Sequence, residues 1–142
     1  HVAFIFQSYN LIDYLTPVEN VALTAKYPPL PILEQLGLTA EEAKRNVLKL
    51  SGGQQQRVAI ARALASDAQV ILGDEPTGNL DEDTAAEITT ILKDSAHKSG
   101  KCVVIVTHSN ELAKEADVVF RLRKGELQIS DGSEMEKERK RK

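Results

Sequence analysis

Leu50-Ser51-Gly52-Gly53-Gln54-Gln55-Gln56-Arg57-Val58-Ala59-Ile60-Ala61-Arg62-Ala63-Leu64 is the stretch from which the rest of the chain can be ordered. Ser51 is a helix-capping residue, and Val58, Ile60, Ala61 and Leu64 repeat at helical spacing. The stretch therefore predicts a helix from Gly52 or Gly53 to about Ala65. A serine and two glycines at such a start leave backbone N–H groups aimed outward at the positive end of the helix dipole, unobstructed by Cβ atoms. That arrangement suits a phosphate, although Ser51-Gly52-Gly53 alone reads better as an ordinary glycine-containing cap.

Downstream, Gln69 to Gly73 is a short apolar run of buried-strand type that ends in Asp74-Glu75-Pro76. Two adjacent carboxylates then stand at the C-terminal end of a strand, where ligands of open α/β sheets collect. Asp81 to about Lys98 predicts a long helix, with Ile88, Ile91, Leu92 and Ala96 on one face and Gly100 after its end. Cys102 to Val106 reads as a strand, Ser109 to about Ala116 as a helix and Val118 to Leu122 as a strand, with a last strand through Ile129. Upstream, Val2 to Phe6 is strand-like, and Thr16-Pro17 opens a short helix through about Leu23. Tyr27-Pro28-Pro29-Leu30-Pro31 reads as a linker, because its prolines remove backbone donors. Ile32 to Leu36 makes one turn closed by Gly37, and Thr39-Ala40-Glu41-Glu42 has the pattern of a capping box opening a helix to about Asn46. Strands alternating with helices imply an α/β fold, a mostly parallel sheet flanked by helices on both faces.

The 142 residues are 42% hydrophobic and 27% charged, enough apolar material for one core. Lys and Arg number 18 against 21 Asp and Glu, a net charge of −3 that argues against a nucleic-acid partner held by electrostatics. The longest clear apolar run, Val103 to Val106, is far short of a membrane span, and His1-Val2-Ala3-Phe4 lacks signal-peptide order. The single cysteine, Cys102, excludes an internal disulfide, fits a reducing compartment and is expected to be buried among apolar neighbours. His1 and His97 read as surface residues, and residues 131–142 as a charged, solvated tail. Beginning inside an apolar strand, the chain reads as the later part of something longer.

The Leu50–Leu64 string as a whole resembles the signature sequence of ATP-binding cassette (ABC) ATPases. Val70 to Glu75 resembles that family's Walker B strand, Pro76-Thr77-Gly78-Asn79-Leu80-Asp81 its D-loop, and Val103 to His108 the strand ending in its switch histidine. Phe6-Gln7-Ser8-Tyr9-Asn10-Leu11 resembles its Q-loop, so the likeness runs from Val2 to about Ile129. The Q-loop and D-loop wording is most similar to the branch of lipoprotein-releasing, macrolide-exporting, cell-division and antimicrobial-peptide-exporting ATPases. The resemblance implies a P-loop NTPase-type sheet, a partial domain over residues 1–130, and a helical subdomain over 24–66. It implies a homodimer packed head to tail around ATP and Mg²⁺. Ser51, Gly52, Gly53 and Gln54 would meet the nucleotide of the other copy, and Asp74 and Gln7 would serve Mg²⁺. Glu75 would be the general base, His108 would contact the γ-phosphate and Asp81 would organise the dimer contact. It further implies a membrane permease as partner and a place at the cytoplasmic face of the membrane.

Two departures stand beside the resemblance. No Gly-x-x-x-x-Gly-Lys-Ser/Thr occurs; the sole Gly-Lys, Gly100-Lys101, is followed by Cys102. In the family this P-loop lies upstream of the Q-loop, so the N-terminal part of the domain is expected to be missing and these residues alone to be inactive. The span from Thr24 to Lys49 is also short, as a natural deletion, a shortened chain or a segment missing from the numbering would make it. The P-loop strand of the family lies between the Cys102–Val106 and Val118–Leu122 strands. Its absence leaves a gap that an exchanged or edge-paired dimer would close. The rival readings are a non-catalytic fragment that pairs with a P-loop-bearing chain, and an ABC ATPase of DNA repair or translation.

Overall fold

A computed structural model of the chain describes residues 2–132. The positions expected for His1 and for the tail beyond residue 132 lie outside them. Two compact units are formed, His1–Val106 and Thr107–Lys142. In the first, β1 (Val2–Ile5), β2 (Val70–Asp74) and β3 (Cys102–Val106) make a parallel sheet in the order β1-β2-β3. Ile5 lies opposite Gly73, and Gly73 opposite Ile105, so all three strands end at the same edge of the sheet.

The connections supply the helices. Between β1 and β2 come α1 (Pro17–Ala22), α2 (Pro29–Gln35), two 3₁₀ turns (Glu42–Lys44 and Val47–Lys49) and α3 (Gly52–Ala65); between β2 and β3 comes α4 (Glu82–His97). Both crossovers step across the sheet in the same direction. With the usual right-handed connection, their helices therefore lie on the same face. Burial follows that geometry: Ile5 and Ile71 are buried and Val103 and Ile105 are packed against the core. On the opposite face Val2, Phe4, Val104 and Val106 keep 49%, 48%, 47% and 65% of their surface in water. The expected cover on both faces is thus corrected to cover on one. Cys102, expected to be buried, shares the open face at the edge strand and is exposed.

Helix α3 forms the centre of the core, with Val58, Ala59, Ile60 and Ala61 all fully buried, because α1, α2 and the sheet surround it. Ahead of it, Thr16 and Glu19 form a reciprocal cap on α1. Buried Asn20 ties down the approach to that helix, accepting from Ile12 N–H at 2.7 Å and donating to the carbonyls of Ile12 and Thr16. The proline-rich linker is a second correction. Pro28 precedes α2, and Pro29 and Pro31 sit in its first turn, where N–H groups have no intrahelical acceptor and proline removes nothing. Gly37 (φ +92) stands two residues beyond the end of α2. The capping box of Thr39 and Glu42 forms, but its helix is a single 3₁₀ turn ending before Arg45; Asn46 then caps a second turn.

In the second unit Ser109 caps α5 (Asn110–Lys114), and β4 (Val119–Arg123) pairs antiparallel with β5 (Glu126–Ser130). The two-residue turn at Lys124 and Gly125 has φ of +52 and +78, the sign that the twist of a tight hairpin requires. Phe120 opposite Ile129 and Leu122 opposite Leu127 form an exposed apolar face on the hairpin.

Two outcomes follow from this packing. Ile60→Ala should lower stability by about 2–5 kcal/mol, whereas Val104→Ala on the open face should stay within about 0.5 kcal/mol of the parent; urea unfolding of both variants measures the contrast. Asp81, the N-cap of α4, accepts from Thr84 N–H at 2.7 Å. Hydrogen bonds from the Thr84 hydroxyl and N–H, and then the charge of Arg57, hold its carboxyl below the usual carboxylate range. A lowered folded-state pKa contributes stability above the unfolded carboxylate's pKa and loses it as pH falls through the folded value. Asp81→Asn should therefore show a shallower loss of stability on acidification below about pH 4 than the parent, read from thermal unfolding across that range.

Candidate functional site

The C-terminal ends of β1 and β2 are neighbours because the strands are parallel and in register. Phe6, Gln7 and Ser8 leave β1 and line one side of an open cavity of about 500 Å³; Asp74, the last residue of β2, and Asn79 line the other. The structure thus brings Gln7 and Asp74 together, although they stand far apart in sequence. The carboxylate of Asp74, the amide of Gln7, the Ser8 hydroxyl and the Asn79 amide are all hard oxygen donors. Among the described residues no group of three or more His, Cys, Asp or Glu forms a metal cage. One carboxylate with neutral oxygens fits an ion that keeps waters and takes other ligands from a phosphate substrate, as Mg²⁺ does.

Glu75 follows immediately with φ +48, a left-handed conformation uncommon for a non-glycine residue. Its N–H donates to Val106 O at 2.8 Å and its carbonyl accepts from Gly78 N–H, so the end of β3 and the following turn hold it. Buried Gln56 of α3 donates to Pro76 O at 2.7 Å, tying the helix to the peptide between Pro76 and Thr77. Asp81 caps α4 seven residues after Asp74, the end of β2, and is not among the residues that line the cavity. His108 stands two residues after β3 in the second unit and is exposed.

At the start of α3, Ser51 Oγ accepts from Gln54 N–H and Gln54 Oε1 accepts from Ser51 N–H. The cap occupies one of the N–H groups expected to face outward. It uses an acceptor lone pair of Ser51 and leaves the hydroxyl proton able to donate. Gln54 Nε2 donates to Glu42, so that side chain is engaged at both ends. Hydrogen bonds from the Thr39 N–H and hydroxyl, and then the bond from Gln54 and the charge of Arg45, keep the Glu42 carboxyl below its ordinary range. A Cβ on Gly52 would lie 3.1 Å from Tyr9 Oη, and one on Gly53 would lie 3.4 Å from Leu80, so Q-loop and D-loop crowd the glycines.

Several participants carry no role in the sequence reading. Arg62, beyond the quoted glycines on α3, donates to Asn10 O at 2.7 Å and Tyr9 O at 3.1 Å, and burial lowers its pKa. Tyr9 and Asn10 are both left-handed, with φ of +66 and +54. The asparagine was the available signal, since it visits that region more readily than most residues; nothing marks Tyr9 or Gln56 in a single sequence.

The ABC transporter family pattern matches residues 1–78. An ABC transporter ATP-binding protein of Bacillus subtilis, YclH, is 42% identical over 141 residues, covering 92% of this chain and 62% of that protein. The macrolide export ATP-binding/permease protein MacB of Pasteurella multocida is 40% identical over 142 residues, covering 93% of this chain and 22% of that one. Among solved structures, the ATP-binding cassette MJ0796, dimeric and bound to ADP and Pi, superposes with a TM-score of 0.81 at 37% identity. That match covers 92% of this chain and 62% of the cassette, so the chain spans about three-fifths of such relatives. With the family pattern matched over more than half its length and the cassette fold shared, the chain belongs to the ABC transporter family as part of its ATP-binding domain.

Proposed function

We propose that the chain is the larger part of an ATP-hydrolysing subunit that drives a membrane permease. The observation that carries the reading is the meeting of Gln7, Asp74 and Asn79 around one cavity at the sheet edge. Asp74 and Gln7 would hold Mg²⁺, which when bound neutralises charge on the β- and γ-phosphates. Glu75, fixed through its own N–H to Val106 O, aligns and deprotonates the attacking water. His108 stabilises the transferred phosphoryl group. Ser51, Gly52, Gly53 and Gln54 address the nucleotide of a second copy, the Ser51 hydroxyl donating while its lone pair maintains the helix cap. Asp81 and its loop organise the contact between copies. A permease as partner, with this part at the cytoplasmic face of the membrane, is supported by the macrolide export relative, which is named as both ATP-binding and permease; no helix among the described residues is long and apolar enough to cross a membrane.

The phosphate cradle is the part these residues lack. Incubated with Mg-ATP alone, the chain should show no turnover; joined to a P-loop-bearing N-terminal segment it should hydrolyse ATP. Glu75→Gln should abolish that activity, and Asp74→Asn should remove its response to Mg²⁺. Turnover by the unsupplemented chain that Glu75→Gln eliminates would overturn the assignment of the cradle to the missing segment.

The open face of the β1-β2-β3 sheet, with Phe4 and Phe6 stacked at 5.5 Å, supports pairing with another chain while that segment is absent. Light scattering should show a mass that rises with concentration and falls to that of the monomer when Val104 and Val106 are both changed to Thr; a compact monomer at all concentrations contradicts the pairing.

A further inference from the structure

We infer that Tyr9 is a positioning residue that locks the Q-loop, the start of α3 and the D-loop into one arrangement. Its hydroxyl accepts from Asn79 Nδ2 at 3.1 Å, and the same Asn79 lines the cavity with Gln7 and Asp74. That hydroxyl lies where a Cβ on Gly52 would come within 3.1 Å, so the phenol fills the space the glycine leaves. Its backbone is fixed from the other side by Arg62, which bonds both left-handed carbonyls, and by its own N–H to Phe6 O. The ring thus has one anchored end in the Q-loop and one polar end shared by two other loops. A displacement of Gln7 is carried through the rigid phenol to Gly52 and Asn79, and the reverse holds equally.

This inference rests on the ATPase reading for its catalytic consequence but not for its structural one, and the test separates the two. Tyr9→Phe keeps the ring and removes only the hydroxyl. In the chain as it stands, amide hydrogen exchange at Gly78, Leu80 and Gln54, all hydrogen-bonded in the adjoining loops, should rise about two- to tenfold, while Ile71 in β2 stays unchanged. No change at those three amides, or an equal rise at Ile71 that marks general loosening, overturns the inference.

In the chain joined to a P-loop-bearing segment, Tyr9→Phe should lower kcat about two- to tenfold at unchanged KM. Most ground-state phosphate contacts would lie on that segment and are untouched. Combined with Asn79→Ala it should cost no more than Asn79→Ala alone, because the two remove the same bond. Unchanged kcat where Glu75→Gln still abolishes turnover, or losses that multiply, refutes the role. Absence of turnover in the unaltered joined chain overturns the ATPase reading instead, and the exchange measurement then decides for Tyr9.

Discussion

Parallel pairing of β1 with β2 is the constraint on which the rest depends. Hydrogen bonding between parallel strands fixes which residues stand side by side, and here it sets Ile5 against Gly73. The next residues along each strand are then forced to meet at one edge, which is how Gln7 and Asp74 reach the same cavity. A slip of β1 by one residue against β2 would turn Ile5, buried under the helices, to the open face. The hydrophobic cost of that slip protects the geometry of the polar edge.

What could be read from the sequence divides along the range of the interaction. Thr16 and Ser51 cap helices as expected, and Asp81 and Ser109, read as the first residues of their helices, are the caps of those helices, because a cap is decided within four residues. The alternation of strands and helices was equally legible. Strand order was not, and it determines which faces are covered. The sequence of β1, β2 and β3 is apolar enough for a sheet buried on both sides, yet two crossovers in one direction leave Val2, Phe4, Val104 and Val106 bare. The proline run failed for a different reason. Proline breaks a helix through a donor it lacks, and in the first turn of α2 that donor has no partner to lose.

Of the site, the motif residues were legible and their supports were not. Gln7, Asp74 and Glu75 stand out through resemblance and through their positions at strand ends. Arg62, Gln56 and Tyr9 act through contacts spanning 53, 20 and 70 residues of sequence, which no local pattern encodes. The cap at Ser51 was visible, but its consequence for Gln54 was not. One amide serves the cap and Glu42 together, and the second hydrogen of its Nε2 is the one left to donate to a phosphate. The bond to Glu42 orients that hydrogen from the 3₁₀ turn that carries Glu42.

The placement of Glu75 makes the same point about the sheet edge. Its left-handed backbone is held by an N–H bond to Val106, the last residue of β3, and β3 borders the sheet. Val106 is also among the most exposed apolar residues on the open face, at 65%. An edge strand without a second neighbour is restrained on one side only, and its terminal residue least of all. Whatever pairs with the free side of β3 therefore steadies the carbonyl that positions Glu75. Glu75 leaves the central strand β2 but leans through its N–H on the edge strand β3, so completing the sheet beside β3 and steadying the Glu75 backbone are one structural event.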